Sequence, residues 1–222
     1  NDAVKCWGGN FAGQLGQGHT KNLGDSPGEM GDDLPAIALG TGRTAKRIVT
    51  GTGHTCAILD DDTVKCWGDN FAGQLGQEDT GNRGDGAAEM SHALPAIALG
   101  TDRTAKSIAA GWNHTCAILD DDSVKCWGSN DFGELGQEHT KDLGDSAGEM
   151  DDDLPSIALG TGRTAKRIAA DGNHTCASLD NDTIKCWGLN SNGQLGQKHI
   201  ENLGNGPGEM GNELPAIALG TK

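Results

Sequence analysis

Tyrosine is absent from this 222-residue chain, phenylalanine occurs three times, and aromatic residues make up only 4% of it. So little bulky apolar material excludes one large globular core and favours small units that each bury a few side chains against a neighbour. Basic residues are scarce as well. Seventeen Lys and Arg face 32 Asp and Glu, a net charge of −15. An acidic surface repels phosphate backbones, which excludes direct nucleic-acid binding as the leading role. No apolar run approaches the roughly 20 residues of a membrane-spanning helix. Phosphate-loop and zinc-protease motifs are missing. Every chemically capable residue type recurs with a repeat instead of forming one singular cluster, so neither an enzyme nor an organic cofactor is expected.

What the chain has instead is glycine, 36 of them, at fixed offsets in a repeat. VKCWG begins at Val4, Val64 and Val124, and IKCWG at Ile184. LPAIALG begins at Leu34, Leu94 and Leu214, and LPSIALG at Leu154. The period is about 60 residues without insertion or deletion, the signature of a solenoid, propeller or array. The chain is one repeat array, 1–222, with units near 1–42 (partial), 43–102, 103–162 and 163–222. In each unit two strands, residues 55–59 and 63–67 in the second copy, flank an acidic three-residue loop and read as a hairpin. Residues 35–39 and 47–50 read as two more strands. About four antiparallel strands per unit make an all-β, propeller-type array of four blade-like repeats. The only helical signal is one turn near residues 28–30.

The hairpin loop fixes a register. If Leu59 faces Thr63, then Cys56 faces Cys66, and the same offset pairs Cys116 with Cys126 and Cys176 with Cys186. Directly opposed strand residues lie within disulfide reach. A bridge in every unit implies an oxidising compartment, so an extracellular or cell-surface location is expected. The competing reading is zinc, with His54, Cys56 and Cys66 on one hairpin face, although no fourth ligand is evident. Cys6 is left over. Its counterpart would lie ten residues upstream by the same offset, which leaves it unpaired or paired with another segment.

Other candidates divide between function and framework. His54, His114 and His174 precede Thr-Cys in every full unit and read as metal or acid–base groups, or as packed residues between blades. Trp7, Trp67, Trp127 and Trp187 read as core. Trp112 occupies a position held by Thr52 and Gly172 in other copies, and is a candidate contact residue or a half-buried one. Asp25, Glu29, Asp32 and Asp33 read as calcium ligands or as a solvated acidic face, and no EF-hand pattern supports the former. Asn113, Asn173 and Asn181 head Asn-X-Thr sequons, acceptors in form for N-glycosylation. Variation between copies gathers at 9–12, 18–22, 50–53 and their equivalents, where a rigid frame displays loops for binding.

Residues 108–130, followed by Gly133, Glu134, Leu135 and Gly136, resemble the regulator of chromosome condensation repeat. The shared pattern is Ala-Ala-Gly, His-Thr before a strand, an acidic turn, Trp-Gly-X-Asn and Gly-Gln-Leu-Gly. The resemblance implies a β-propeller, commonly seven-bladed, which at this period would take about 420 residues. Four units are thus incomplete relative to such a ring. The paired cysteines and long acidic linkers resemble secreted or surface members. The expectation is a non-enzymatic scaffold of propeller repeats for protein recognition or self-assembly. Its partners would be another protein or copies of itself, in a homo-oligomer, a filament or a longer chain. The alternative is an exchange factor for a small GTPase. Asp62, Asp122 and Asp182 stand where the family usually has glycine before the second hairpin strand.

Overall fold

The computed structural model describes residues 3–220. Among the described residues nine strands form three antiparallel sheets, each built in chain order. The first sheet holds β1 (Ala45–Thr50), β2 (His54–Leu59) and β3 (Val64–Gly68). The second holds β4 (Ala105–Ala110), β5 (His114–Leu119) and β6 (Val124–Gly128). The third holds β7 (Ala165–Asp171), β8 (His174–Leu179) and β9 (Ile184–Gly188). One 3-10 turn, Asp151–Asp153, is the only helix among the described residues. Neighbouring sheets pack through β1, β4 and β7, and β2 also meets β4.

The hairpin forms for local reasons. β-Branched and apolar residues favour extended backbone on either side of an acidic turn. In the first sheet the Leu59 N–H donates to the Thr63 carbonyl at 2.8 Å, and the Asp62 N–H returns to the Leu59 carbonyl at 3.0 Å. Asp62 takes the left-handed conformation with φ 64°, which Asp accepts more readily than most residues. The Asp61 carboxylate accepts from the Thr63 N–H at 3.2 Å and the Thr63 hydroxyl at 2.6 Å. That bond holds the Asp61 carboxyl below its usual range. The resulting register pairs Cys56 with Cys66, Cys116 with Cys126 and Cys176 with Cys186.

The sheets have three strands, not the four expected from the pattern. The segment at residues 95–99 does run along β3, but only the Ile97 N–H pairs with it, donating to the Val64 carbonyl at 2.8 Å, as the Ile37 N–H donates to the Val4 carbonyl at 2.9 Å in the first copy. Pro95 has no N–H to offer. Buried Lys65 takes up two nearby carbonyls with its ammonium, Leu39 at 3.0 Å and Ser91 at 2.7 Å. The fourth position is therefore an extended strap tied at one point, not a ladder. A second tie lies at the other end of β3, where Gly68 bridges Arg83.

The core lies between blades. Trp67, Trp127 and Trp187 are fully buried; Leu75, Ile108, Leu135 and Met150 share a cluster with Trp127 and Trp187, and Ile37, Leu39, Met90 and Leu94 share one with Trp67. Trp7 departs from the expected core role and is 61% exposed. The other three tryptophans are covered by a loop from the preceding repeat, and the described residues hold no such repeat before Trp7.

Candidate interaction site

Each blade interface is organised by one backbone carbonyl. Gln74 O accepts from the Trp127 indole N–H at 3.0 Å and from the Thr115 hydroxyl at 2.9 Å. Gln14 O serves Trp67 and Thr55 with the same distances, and Glu134 O serves Trp187 and Thr175. The Gly-Gln-Leu-Gly loop that presents the carbonyl needs its second glycine. A Cβ on Gly76 would lie 2.9 Å from the Trp127 indole nitrogen, at a left-handed φ of 64°.

The repeated histidines belong to the same interface. His54 Nε2 lies 2.9 Å from Thr115 Oγ1 in the next blade, and His114 Nε2 lies 2.9 Å from Thr175 Oγ1. The threonine proton already goes to a loop carbonyl, so histidine must be the donor, with its proton on Nε2. The opposite nitrogens, Nδ1 of His54 and of His114, are buried without a hydrogen-bond partner. Burial holds these rings neutral, lowering the pKa to about 4 for His54 and about 3 for His114. The Cys56–Cys66 disulfide takes up two of the three side chains of the zinc reading. Among the described residues no group of three or more His, Cys, Asp or Glu side chains is placed to hold an ion.

The six paired cysteines are disulfide-bonded within their hairpins, each with Cα atoms 4.1 Å apart. Cys56, Cys66, Cys116 and Cys126 are completely buried. Cys6 is a free, half-buried thiol whose pKa is pushed up by burial.

Glu134 escaped the sequence reading, though it was legible there as the one acid among Gln14, Gln74 and Gln194. It is fully buried. It accepts from the Phe132 N–H at 2.8 Å and the Ser129 hydroxyl at 3.3 Å. Burial outweighs both bonds and raises its pKa to about 7.

The loops at one end of the blades join across interfaces. The Thr52 N–H donates to Trp112 O at 3.3 Å, and the Trp112 N–H to Gly172 O at 2.8 Å. Within one blade, the Asp69 N–H, two residues before Phe71, donates to Gly53 O at 2.8 Å. A Cβ on Gly53 would come within 3.0 Å of the Phe11 ring. The exposed aromatic side chains at this end include Phe11 at 66%, Phe71 at 61% and Trp112 at 53%. Asn113 and Asn173 stand at the same end, half-buried, but the threonines of their sequons, Thr115 and Thr175, are inside the interface. Asn181 is exposed in the hairpin turn at the other end of β8, and its side chain accepts from the Thr183 hydroxyl at 2.7 Å. In the acidic linker the Glu29 carboxylate is engaged by the Gly24 and Ser26 N–H groups at 2.9 and 3.0 Å. Asp25, Asp32 and Asp33 are exposed.

Three-stranded blades joined side by side by a repeated Trp–carbonyl contact define a partial β-propeller. A sequence profile for the Regulator of chromosome condensation (RCC1) repeat matches residues 45–74, 105–134 and 166–194, and a second profile of the same repeat matches residues 61–118. Together they cover more than half of the chain, which belongs to the RCC1 repeat family. It is similar to the Secretion-regulating guanine nucleotide exchange factor of Bos taurus, 28% identical over 84% of this chain and 35% of that protein. It is also similar to the Ultraviolet-B receptor UVR8 of Arabidopsis thaliana, 27% identical over 87% of this chain and 38% of that protein. The chain thus spans little more than a third of the length of these relatives. Among solved structures, Prp20p of Saccharomyces cerevisiae, studied for its binding to Gsp1p and histones, superposes with a TM-score of 0.67. It is 24% identical, and the match covers 97% of this chain and 46% of Prp20p. That likeness shows the fold.

Proposed function

We propose that this chain is a non-catalytic propeller segment that recognises a protein partner through its aromatic loop end, in an oxidising extracellular or cell-surface setting. The observation that carries the reading is the exposure of Phe11, Phe71 and Trp112 at one end of the blades, where the backbones of the Phe71 and Trp112 loops are both hydrogen-bonded to residues 52–53. Rigidly held, solvent-facing aromatics are typical anchors of protein interfaces. The repeated histidine, threonine and tryptophan side chains, by contrast, are engaged within the blade interfaces. Protein partners in the family, such as Gsp1p and histones for Prp20p, support the general role. The net charge of −15 favours a basic protein surface over a nucleic acid. The hairpin disulfides support the compartment. No helix among the described residues is long and apolar enough to cross a membrane.

The test is site-directed photo-cross-linking. A benzophenone amino acid at position 71 or 112, irradiated in the fluid or surface fraction from which the protein is recovered, should yield one discrete adduct. The same group at exposed Asp121, in the hairpin turn, should yield none. Adducts at all three positions, or at none, would overturn the reading.

A second reading follows from the exchange-factor relative. It predicts release of fluorescent GDP from a small GTPase by the reduced protein, whereas the recognition reading predicts no acceleration.

A further inference from the structure

The long linkers between blades contain a turn whose successive N–H groups converge on one point. In the third repeat that point is occupied by a carboxylate from the preceding repeat. Glu78 Oε1 accepts from the Gly148, Glu149 and Met150 N–H groups at 2.8, 3.0 and 3.2 Å. In the fourth repeat Glu138 Oε1 accepts from the Met210 N–H at 3.0 Å. The equivalent of Glu78 and Glu138 facing the second repeat is Gly18. Its backbone is docked as that of Glu138 is: the Gly18 N–H donates to Gly84 O at 3.0 Å, and the Glu138 N–H to Gly204 O at 2.9 Å. Only the side chain is missing.

The receiving turn is nevertheless formed. Ala88 holds φ 70° and Ser91 φ 64°, as Gly148 and Asp151 hold 82° and 59°. Among the described residues the N–H groups of Ala88, Glu89 and Met90 have no hydrogen-bond partner. Where the carboxylate would stand there is a cavity of 390 Å³, whose lining is mostly small glycine and alanine residues, among them Gly18, Ala36, Ala38 and Ala88, together with Gln17, Met90 and Ser91. Convergent backbone N–H groups make an anion-binding concavity, and the small apolar walls suit an alkyl stem. The Glu89 carboxylate lies on the same turn, accepting from the Gly84 and Gly86 N–H groups. It does not forbid a second carboxylate: Glu209 occupies the same place beside the Glu138 contact, accepting from the Asn205 and Gly206 N–H groups.

We propose that residues 88–90, opposite Gly18, form a binding site for a carboxylate on a short alkyl stem. Its source is either a glutamate side chain of a partner polypeptide or a free short-chain carboxylate. The site is independent of the aromatic end and stands whether or not that end binds a protein.

The experiment follows backbone amide resonances of the intact chain during titration with sodium propionate, with sodium chloride as the ionic-strength control. Saturable shifts at Ala88, Glu89 and Met90, absent at Gly148, Glu149 and Met150, are expected. Gly18→Glu, which reproduces the residue at positions 78 and 138, should abolish the response by filling the site from within. Glu78→Ala should create a new propionate response at Gly148, Glu149 and Met150. The turn at Gly28, Glu29 and Met30, with the same backbone but no preceding loop among the described residues, should respond less than residues 88–90. Replacing propionate by a blocked Gly-Glu-Gly peptide separates the sources. Saturation at lower concentration than propionate assigns the site to polypeptides, and saturation at equal concentration assigns it to the free acid. Linear, unsaturating shifts, a response that survives Gly18→Glu in a folded variant, or no gain in Glu78→Ala would overturn the proposal.

Discussion

Replacing Glu134 by glutamine should stabilise the protein, and by an amount that depends on pH. The side chain is fully buried, and burial raises its pKa to about 7 from the ordinary glutamate value of 4.5. A carboxyl whose folded pKa is raised favours the neutral form. Its stability contribution is complete below the unfolded value and is lost as pH rises through the folded value. The loss is about 1.4 kcal/mol per pH unit, which accumulates to roughly 3 kcal/mol above pH ~7. Water penetration lowers the realised figure to ~2 kcal/mol. Glutamine has the same shape and keeps both contacts, accepting from the Phe132 N–H and donating to the Ser129 hydroxyl. It is also what the other three repeats carry, as Gln14, Gln74 and Gln194. Urea denaturation of both proteins from about pH 5 to about pH 8 measures the difference. The variant should match the parent near the acid end and exceed it by ~2 kcal/mol at the alkaline end, a gain of roughly 4–8 °C in Tm for a chain of this size. A constant difference across pH, or none at the alkaline end, would refute the argument from burial.

The histidines predict the opposite acid dependence. Burial holds their folded pKa values, about 4 for His54 and about 3 for His114, below the ordinary histidine value of 6.5. Neutral rings therefore stabilise the fold above that value, and this is lost as pH falls towards the folded values; the double variant His54→Gln, His114→Gln should flatten the acid limb of a stability–pH curve. Trp127→Phe removes the 3.0 Å bond to Gln74 O and leaves a void, and should cost ~2–4 kcal/mol in the same denaturation assay. Cys116→Ala with Cys126→Ala opens a bridge of sequence separation 10 and should cost ~1–3 kcal/mol, less than a long-loop bridge.

Much of this architecture was legible because repetition converts spacing into geometry. The acidic loop set the hairpin register, and with it which cysteines face each other. Repeated histidine and tryptophan pointed to framework positions, and both form contacts between adjacent repeats. The fourth strand misled because residues 35–39 and 95–99 have the composition of a strand. Their pairing is decided by proline and by a lysine from a neighbouring strand, which no local pattern reveals. Trp7 misled for a related reason: its burial depends on a different repeat, not on its own. The His54–Thr115–Gln74 chain connects residues far apart in sequence, so neither its donor direction nor its consequence for protonation was accessible. Glu134 and Gly18 were visible only as departures from the repeat. Their meaning needed the pocket that surrounds one and the turn that faces the other.

The most direct test of an oxidised, disulfide-framed recognition segment is the thiol state of the native protein. Material recovered from its source, alkylated at harvest and digested without reduction, should give three cross-linked peptides joining Cys56 to Cys66, Cys116 to Cys126 and Cys176 to Cys186, with the alkyl group on Cys6. Alkylation of the six hairpin cysteines would contradict the account, placing the chain in a reducing compartment.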